Sequence, residues 1–284
     1  MLSLKLSVGD RFSFKRMTAF FIPFLLIIGA LLDAPVEAAP VPVLFPEGFT
    51  HGFLLVRSLD GETVGEGELI QTVKEKERVE SRLIFRFKDG SVHEEKVVFA
   101  QQHLFRMVSY HLIQRGPAFS EQVDVSVDRN TARYKIRSQT GKEGKEEERT
   151  GEVDLPEDAY NGMLITVLKN IPKSSDETVS ILAFTPAPEV IRLRLHWVGE
   201  QTVRIGGDLS KKAMEYTFEP QIGKIKQFFG RLFGKLPADF HYRCAILADE
   251  APSFVELEAP LQLLGPVFRF ELVSPQLSTK TSPK

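Results

Sequence analysis

The sequence predicts a mainly β protein. The expected form is one large, curved, mostly antiparallel sheet, a half-barrel or open barrel, with two amphipathic helices packed against it. Three observations carry this. Apolar and polar residues alternate with a period of two through most of the chain after residue 47. Turn signals such as Asp89-Gly90, Gly116-Pro117 and Gly207-Asp208 interrupt that alternation at short intervals. Only residues 155–172 and 221–237 switch to a helical period.

The N-terminus reads as a targeting segment. Lys5, Arg11, Lys15 and Arg16 precede an uncharged run, MTAFFIPFLLIIGALL, at 17–32, and DAPVEAAP follows. The run is shorter than the roughly 20 apolar residues of a usual membrane-spanning helix. Positive charge before it and small residues after it form the pattern of a secretory signal peptide. Val36 and Ala38 satisfy the small-residue rule for cleavage after Ala38, and cleavage after Ala39 fits nearly as well. The cleavage region holds no Cys, which argues against a lipid-modified N-terminus. An uncleaved N-terminal membrane anchor is the alternative. The expected product is periplasmic or extracellular. It comprises a single β-rich domain at 39–274, with halves at 47–172 and 178–274, and a disordered polar tail at 275–284.

The formal net charge is −2, and removing residues 1–38 takes away a net +1 and leaves −3. Neither value suggests nucleic-acid binding. The domain is long enough for a core that needs no covalent staple. Cys244 is the sole cysteine, so no internal disulfide forms. Its setting, HYRCAILA, reads as a strand that buries a small apolar residue.

The strands follow in order. GFLLVRS at 52–58 leads to a turn at LDGE. Residues 77–101 hold two strands around Asp89-Gly90, and 104–117 continue the sheet up to Gly116-Pro117. In 121–138, Val123, Val125 and Val127 share one face while Asp124, Ser126 and Asp128 share the other, which marks a sheet with one wet face. GKEGKEEERTGE at 141–152 reads as a charged, solvated loop. In LPEDAYNGMLITVLKNIP, Pro156 suits a first helical turn and Glu157 and Asp158 suit its dipole. Ala159, Met163, Leu164, Val167, Leu168 and Ile171 form one apolar stripe, and Pro172 stops the helix. More strands follow, then QIGKIKQFFGRLFGKLP as a second helix, then three closing strands. A curled sheet needs cover on its concave face, and the two helices supply it.

The motifs DGSVHEE, SYHLIQRGPAF, SVD, DLPEDAYNG and LKN, with the later GKLPADFHYRCAILADEAPSFV and GPVFRFEL, carry a resemblance. Across most of the mature chain the sequence resembles an uncharacterised family of exported bacterial proteins. LLGP stands where the pattern has GGP. The resemblance implies an envelope protein and transfers no catalytic residue.

Catalytic signals are sparse. HEEKV at 93–97 lacks the second His of a zinc-protease helix and sits in a strand. The other histidines show no metal-ligand spacing, no G-x-S-x-G elbow is present, and no cofactor is implied. One polar constellation stands out. A turn near Gln102-His103 places His111 opposite Glu94 or Glu95, and the Asp89-Gly90 hairpin places Arg86 opposite His93. Arg106 belongs to the same sheet. These residues read either as a polar site, His93, Glu94, Glu95, Arg106 and His111, or as a row of cross-strand ion pairs. An apolar ligand or lipid between sheet and helices would meet Met163, Val167, Phe229 and Phe233. Lys224, Lys226, Arg231 and Lys235 beside Phe228, Phe229 and Phe233 also give 221–237 the look of a helix in peripheral contact with a membrane. The expectation is an exported, non-enzymatic envelope protein that binds an apolar molecule. An envelope scaffold is the alternative, and an envelope hydrolase ranks third.

Overall fold

In a computed structural model of the chain, the described residues are 40–141, 144–173, 175–184, 187–205, 209–221, 242–249, 252–262 and 265–273. They form mainly β structure. The first eight strands are β1 (Thr50–Ser58), β2 (Thr63–Lys74), β3 (Arg78–Phe87), β4 (Val92–Gln101), β5 (Phe105–Arg115), β6 (Glu121–Asp128), β7 (Arg133–Thr140) and β8 (Glu146–Glu152). A helix α1 (Leu164–Asn170) follows, then β9 (Asp176–Phe184), β10 (Pro188–Ile205), β11 (Leu209–Pro220), β12 (Tyr242–Leu247), β13 (Phe254–Pro260) and β14 (Val267–Val273).

All fourteen strands join one sheet in the order β8-β7-β6-β5-β4-β3-β2-β1-β14-β13-β12-β11-β10-β9. Each half is an antiparallel meander, and β1 pairs antiparallel with β14, so both halves share one sheet. The chain walks outward to β8, crosses through residues 153–175, and walks back from β9.

The sheet rolls up without closing. Tyr110 on β5 stacks on Phe184 of the far edge strand β9, with ring centroids 6.0 Å apart. Phe85 on β3 stacks on Phe270 of β14 at 4.5 Å, although β2 and β1 lie between them. Gly67 on β2 permits this contact. A Cβ there would stand 2.4 Å from the Phe85 ring, so only glycine lets the ring lie across β2. The core fills the inside of this curve, from Val56 and Phe99 to Leu195 and Tyr216.

The crossing segment packs into one part of the same curve. Pro156 does not start a helix, contrary to the expectation from its sequence setting. Residues 158–161 instead bond to the free edge of β9. Ser180 donates its amide to the Asp158 carbonyl (2.9 Å), and the Tyr160 amide donates to the Ser180 carbonyl (2.9 Å). Asn161 acts as a short piece of strand: its Nδ2 donates to the Leu182 carbonyl (2.9 Å) and its Oδ1 accepts from the Leu182 amide (2.7 Å). Gly162 then takes a φ of +69°, with Val97 and Tyr110 packed 3.3 Å from where a Cβ would sit. These commitments delay the helix to Leu164. The expected stripe still turns inward, and Ala159, Met163, Val167, Leu168 and Ile171 are all buried.

Other expectations change too. Residues 146–152 form the edge strand β8, where a loop was expected; Glu148 bridges Lys135 and Arg137 on β7, each at 2.9 Å. Charge is compatible with an edge strand because it deters further pairing. Among the described residues α1 is the sole α-helix. The expected second helix at 221–237, with Phe229 and Phe233, lies outside them apart from Gln221, as do residues 1–38 and the tail.

The chain enters the sheet through a strap at residues 40–47. Val41 donates its amide to the Tyr160 hydroxyl (2.8 Å), and its carbonyl accepts from the Phe105 amide (3.0 Å). Asn170 Oδ1 accepts from the Leu44 and Phe45 amides at 2.8 and 2.6 Å. Glu47 exchanges two hydrogen bonds with the Gln101 side chain and pairs with Lys169 of α1 at 2.5 Å. The strap therefore runs from the start of β5 past the end of β4 to β1, with α1 beneath it.

Candidate functional site

Polar side chains inside a rolled sheet need a reason, because each loses its water. The inner face of β4 and β5 carries four near one another, apart from Gln101 at the end of β4. His93 and Glu95 are two residues apart and share a face. Across the ladder, His93 faces Gln114 and Val97 faces Tyr110, which places all four on that face.

Their hydrogen bonds fix one another. Gln114 Nε2 lies 2.5 Å from the Leu261 carbonyl, which only accepts, so this atom is the amide nitrogen. Its second hydrogen goes to His93 Nδ1 at 3.0 Å. His93 therefore keeps its proton on Nε2, which lies 3.7 Å from Glu95 Oε1. Glu95 Oε1 accepts from the Tyr110 hydroxyl at 2.8 Å. The imidazole sits between the rings of Phe85 and Phe119, at 5.8 and 6.4 Å between centroids.

Burial sets the charge state. With 2 % of its side chain exposed, His93 is pushed down to about 3 and is neutral. Burial pushes the Glu95 carboxyl up, and the Tyr110 hydrogen bond only partly opposes this. Burial and the neighbouring Glu95 push the Tyr110 phenol well up. Glu95 still keeps 23 % of its side chain exposed. Its direct cross-strand neighbours, Leu83 and Leu112, and then Leu69 beyond Leu83, are apolar, and Leu69 and Leu83 are only partly buried. The arrangement offers a carboxyl oxygen beside apolar surface.

Comparison with protein-family models, curated proteins and solved structures finds no match. The functional reading therefore rests on the chain's own geometry.

The structure splits the sequence-predicted polar site. His93 and Glu95 come together inside. Glu94 and Arg106 lie on the outer face, Glu94 by alternation with His93 and Glu95 and Arg106 opposite Ala100, and His111 joins them; both hairpin registers also differ from expectation by one residue. In the β3–β4 hairpin the Phe87 amide donates to the Ser91 carbonyl, so the loop holds three residues, with Gly90 at φ +86°. His93 therefore faces Phe85 rather than Arg86. In the β4–β5 pair a bulge leaves Val108 without a partner between Ser109, opposite Val98, and Met107, opposite Phe99. His111 consequently faces Lys96 rather than Glu95 or Glu94.

The separated residues form ion pairs. His111 meets Asp124 at 2.9 Å. Glu94 meets Arg82 at 2.8 Å and Lys96 at 3.1 Å, and the Arg82 guanidinium holds its carboxyl below the usual range. Arg106 reaches Glu157 at 2.7 Å on the exterior. His111, Lys96 and Lys135 line an open groove of about 820 Å³ on the outer face of β3–β8. Each of the three already has an acidic partner. Met163 and Val167 are 1 % and 0 % exposed, as packed core.

Sequence reasoning passed over Tyr110 and Gln114. The signal for them was the period of two in SYHLIQ, which sets Tyr110, Leu112 and Gln114 on the face opposite His111. His93 contacts Gln114 and Glu95, and neither is a nucleophile of the Ser or Cys kind. Burial drives the Cys244 thiol far up, which makes it inert. Among the described residues no group of three or more His, Cys, Asp or Glu is arranged to hold a metal, and no helix is long and apolar enough to cross a membrane.

Proposed function

We propose that the chain is an exported cell-envelope protein that binds an apolar molecule or lipid inside the rolled sheet. The ligand's polar end meets Glu95. One observation carries the reading: an inward carboxyl with no Lys or Arg partner among the described residues, held by Tyr110 and partly exposed beside Leu69 and Leu83. A site of this kind, apolar with a few placed polar groups, is the usual form of a small-molecule pocket. Met163 and Val167 lie buried in the core at the start of and within α1. The resemblance to exported bacterial proteins and the signal-like N-terminus support the location. The basic and aromatic sequence of residues 221–237, which lie outside the described residues apart from Gln221, supports a peripheral membrane contact.

Native mass spectrometry of the protein recovered from the exported fraction tests this. The expected result is a bound apolar species that solvent extraction releases and that Glu95→Ala retains less well. A protein that carries no such species and takes up no fluorescent fatty-acid probe refutes it.

The free edge of β8 favours a second reading, an envelope scaffold that pairs a partner's strand there. Six of its seven residues are exposed. A proline at Arg149 would abolish such pairing and leave ligand retention intact.

A further inference from the structure

The antiparallel order puts alternate turns on the same end of the roll. One end holds the strap, the β2–β3, β4–β5 and β6–β7 hairpins, the start of β1 and the end of β14. Most of the large apolar side chains exposed among the described residues lie here, among them Leu44, Phe45, Phe49, Val73, Leu104 and Leu272. Phe49 is 77 % exposed and Leu44 53 %. Soluble surfaces scatter such residues singly, and a concentration of them marks a contact surface.

The strap fixes the side chains of this rim. Asn170 grips the Leu44 and Phe45 amides from beneath, so their side chains stand on a braced backbone. Leu104 is tied beside the strap by the Pro42–Leu104 bridge. Thr50, the first residue of β1, pairs with Gln71, so Val73 lies on the part of β2 that extends past the start of β1. The residues project from a strap, hairpin tips and strand ends around a rim. That form suits shallow insertion into a fluid interface.

The sequence says which interface. The apolar run at 17–32 ends eight residues before Pro40, which adjoins Val41, the first residue bonded on this rim. Eight residues reach at most about 29 Å. Whenever that run occupies a bilayer, during export or as an anchor, this end of the roll is kept close to the bilayer surface. We propose that the strap-end rim is a lipid-contact surface whose Phe and Leu side chains enter the boundary between headgroups and acyl chains. The contact is apolar, so it does not depend on anionic lipid. It is distinct from the contact proposed for residues 221–237, because the described residues flanking that segment, Pro220 and Tyr242, lie at the opposite end of the sheet.

The test is vesicle co-sedimentation of the full exported protein, with vesicles of phosphatidylcholine alone and of phosphatidylcholine with phosphatidylglycerol. The expected result is binding to both. The combined substitutions Phe45→Ser, Phe49→Ser and Leu104→Ser should lower partitioning roughly tenfold or more, with an unchanged melting curve. Should that protein not fold, Phe49→Ser alone serves, with a smaller loss in the same direction. The combined substitutions Phe228→Ser, Phe229→Ser and Phe233→Ser should leave binding to pure phosphatidylcholine in place. The proposal is overturned by a wild-type protein that binds neither vesicle, or by binding that survives the rim substitutions. It is equally overturned by binding lost only through the 228–233 substitutions. A dimer that the rim substitutions dissociate would assign the rim to a second copy of the chain, again against the proposal.

Discussion

Asn161→Ala is the sharpest probe of how the sheet is held in its rolled form. Asn161 closes a two-bond ring with one residue of β9, at 2.9 and 2.7 Å, and Leu182 is 3 % exposed. Alanine removes both bonds. Each contributes about 1 kcal/mol net, and the two orphaned backbone groups of Leu182 cost about 1–3 kcal/mol each if no water reaches them. Partial relaxation of an edge strand lowers that sum, so the expected loss is about 2–4 kcal/mol. At roughly 2–4 °C per kcal/mol for a domain of this size, the melting temperature should fall by about 5–15 °C. Urea unfolding gives the free energy, and hydrogen exchange at the Leu182 amide gives the local effect. Asn130→Ala, at an exposed turn, is the control and should change stability by less than about 0.5 kcal/mol. If Asn161→Ala loses no more than this control, the side chain is not the clasp between the crossing segment and β9.

Val167→Asp and Met163→Asp each bury an unpaired charge in packed core, at a cost of several kcal/mol, and neither protein should fold as judged by near-ultraviolet circular dichroism. Gly162→Ala adds about 1–2 kcal/mol of left-handed strain to a Cβ only 3.3 Å from Val97 and Tyr110, and its urea midpoint should fall accordingly. Lys169→Met leaves Glu47 buried without its cation and should cost about 3–5 kcal/mol, which Glu47→Gln in the same chain should largely restore. His93 gives a pH signature. Its folded value of about 3 lies below an unfolded value near 6.5, so the unfolded chain binds the extra proton between those values. Stability should therefore fall as pH drops from about 6.5 toward 3, by at most about 4–5 kcal/mol. Glu95, raised by burial, works in the opposite sense, and its contribution is lost as pH rises through its folded value. A stability profile of His93→Leu should be flatter on the acid side than wild type, and an unchanged slope would refute the assignment.

The broad architecture was legible because it depends on period. Val125, Val127 and Ile136 turn inward and their neighbours turn outward with no knowledge of partners. The extent of α1 was not legible, because helix propensity competes with hydrogen bonds that depend on β9. Pro156, Glu157 and Asp158 make an acceptable first turn, but Asp158, Tyr160 and Asn161 bond to residues about twenty positions later. Periodicity cannot see that competition. Gly162 was the visible hint: a residue costly in a helix stood where the chain had to turn.

The candidate site shows the limit more sharply, since a strand site depends on register, and register is counted residue by residue. One extra residue in the Asp89-Gly90 loop moves His93 from Arg86 to Phe85. One unpaired residue at Val108 moves His111 from Glu95 to Lys96. Each slip is a single residue, and a single residue exchanges the two faces of a sheet. The expected set therefore mixed members from both faces. The same logic locates the chemistry. Outer-face partners can exchange for water, so an error there changes little, and ion pairs at such exposure contribute about 0–1 kcal/mol. Inner-face partners cannot, so His93 neutral on Gln114 and Glu95 capped by Tyr110 leave few alternative arrangements. The residues that specify a site in this fold are those whose hydrogen bonds have no substitute. By that criterion Gln114, which orients His93 and joins β5 to the Leu261 carbonyl beyond β13, matters more than the more conspicuous His111.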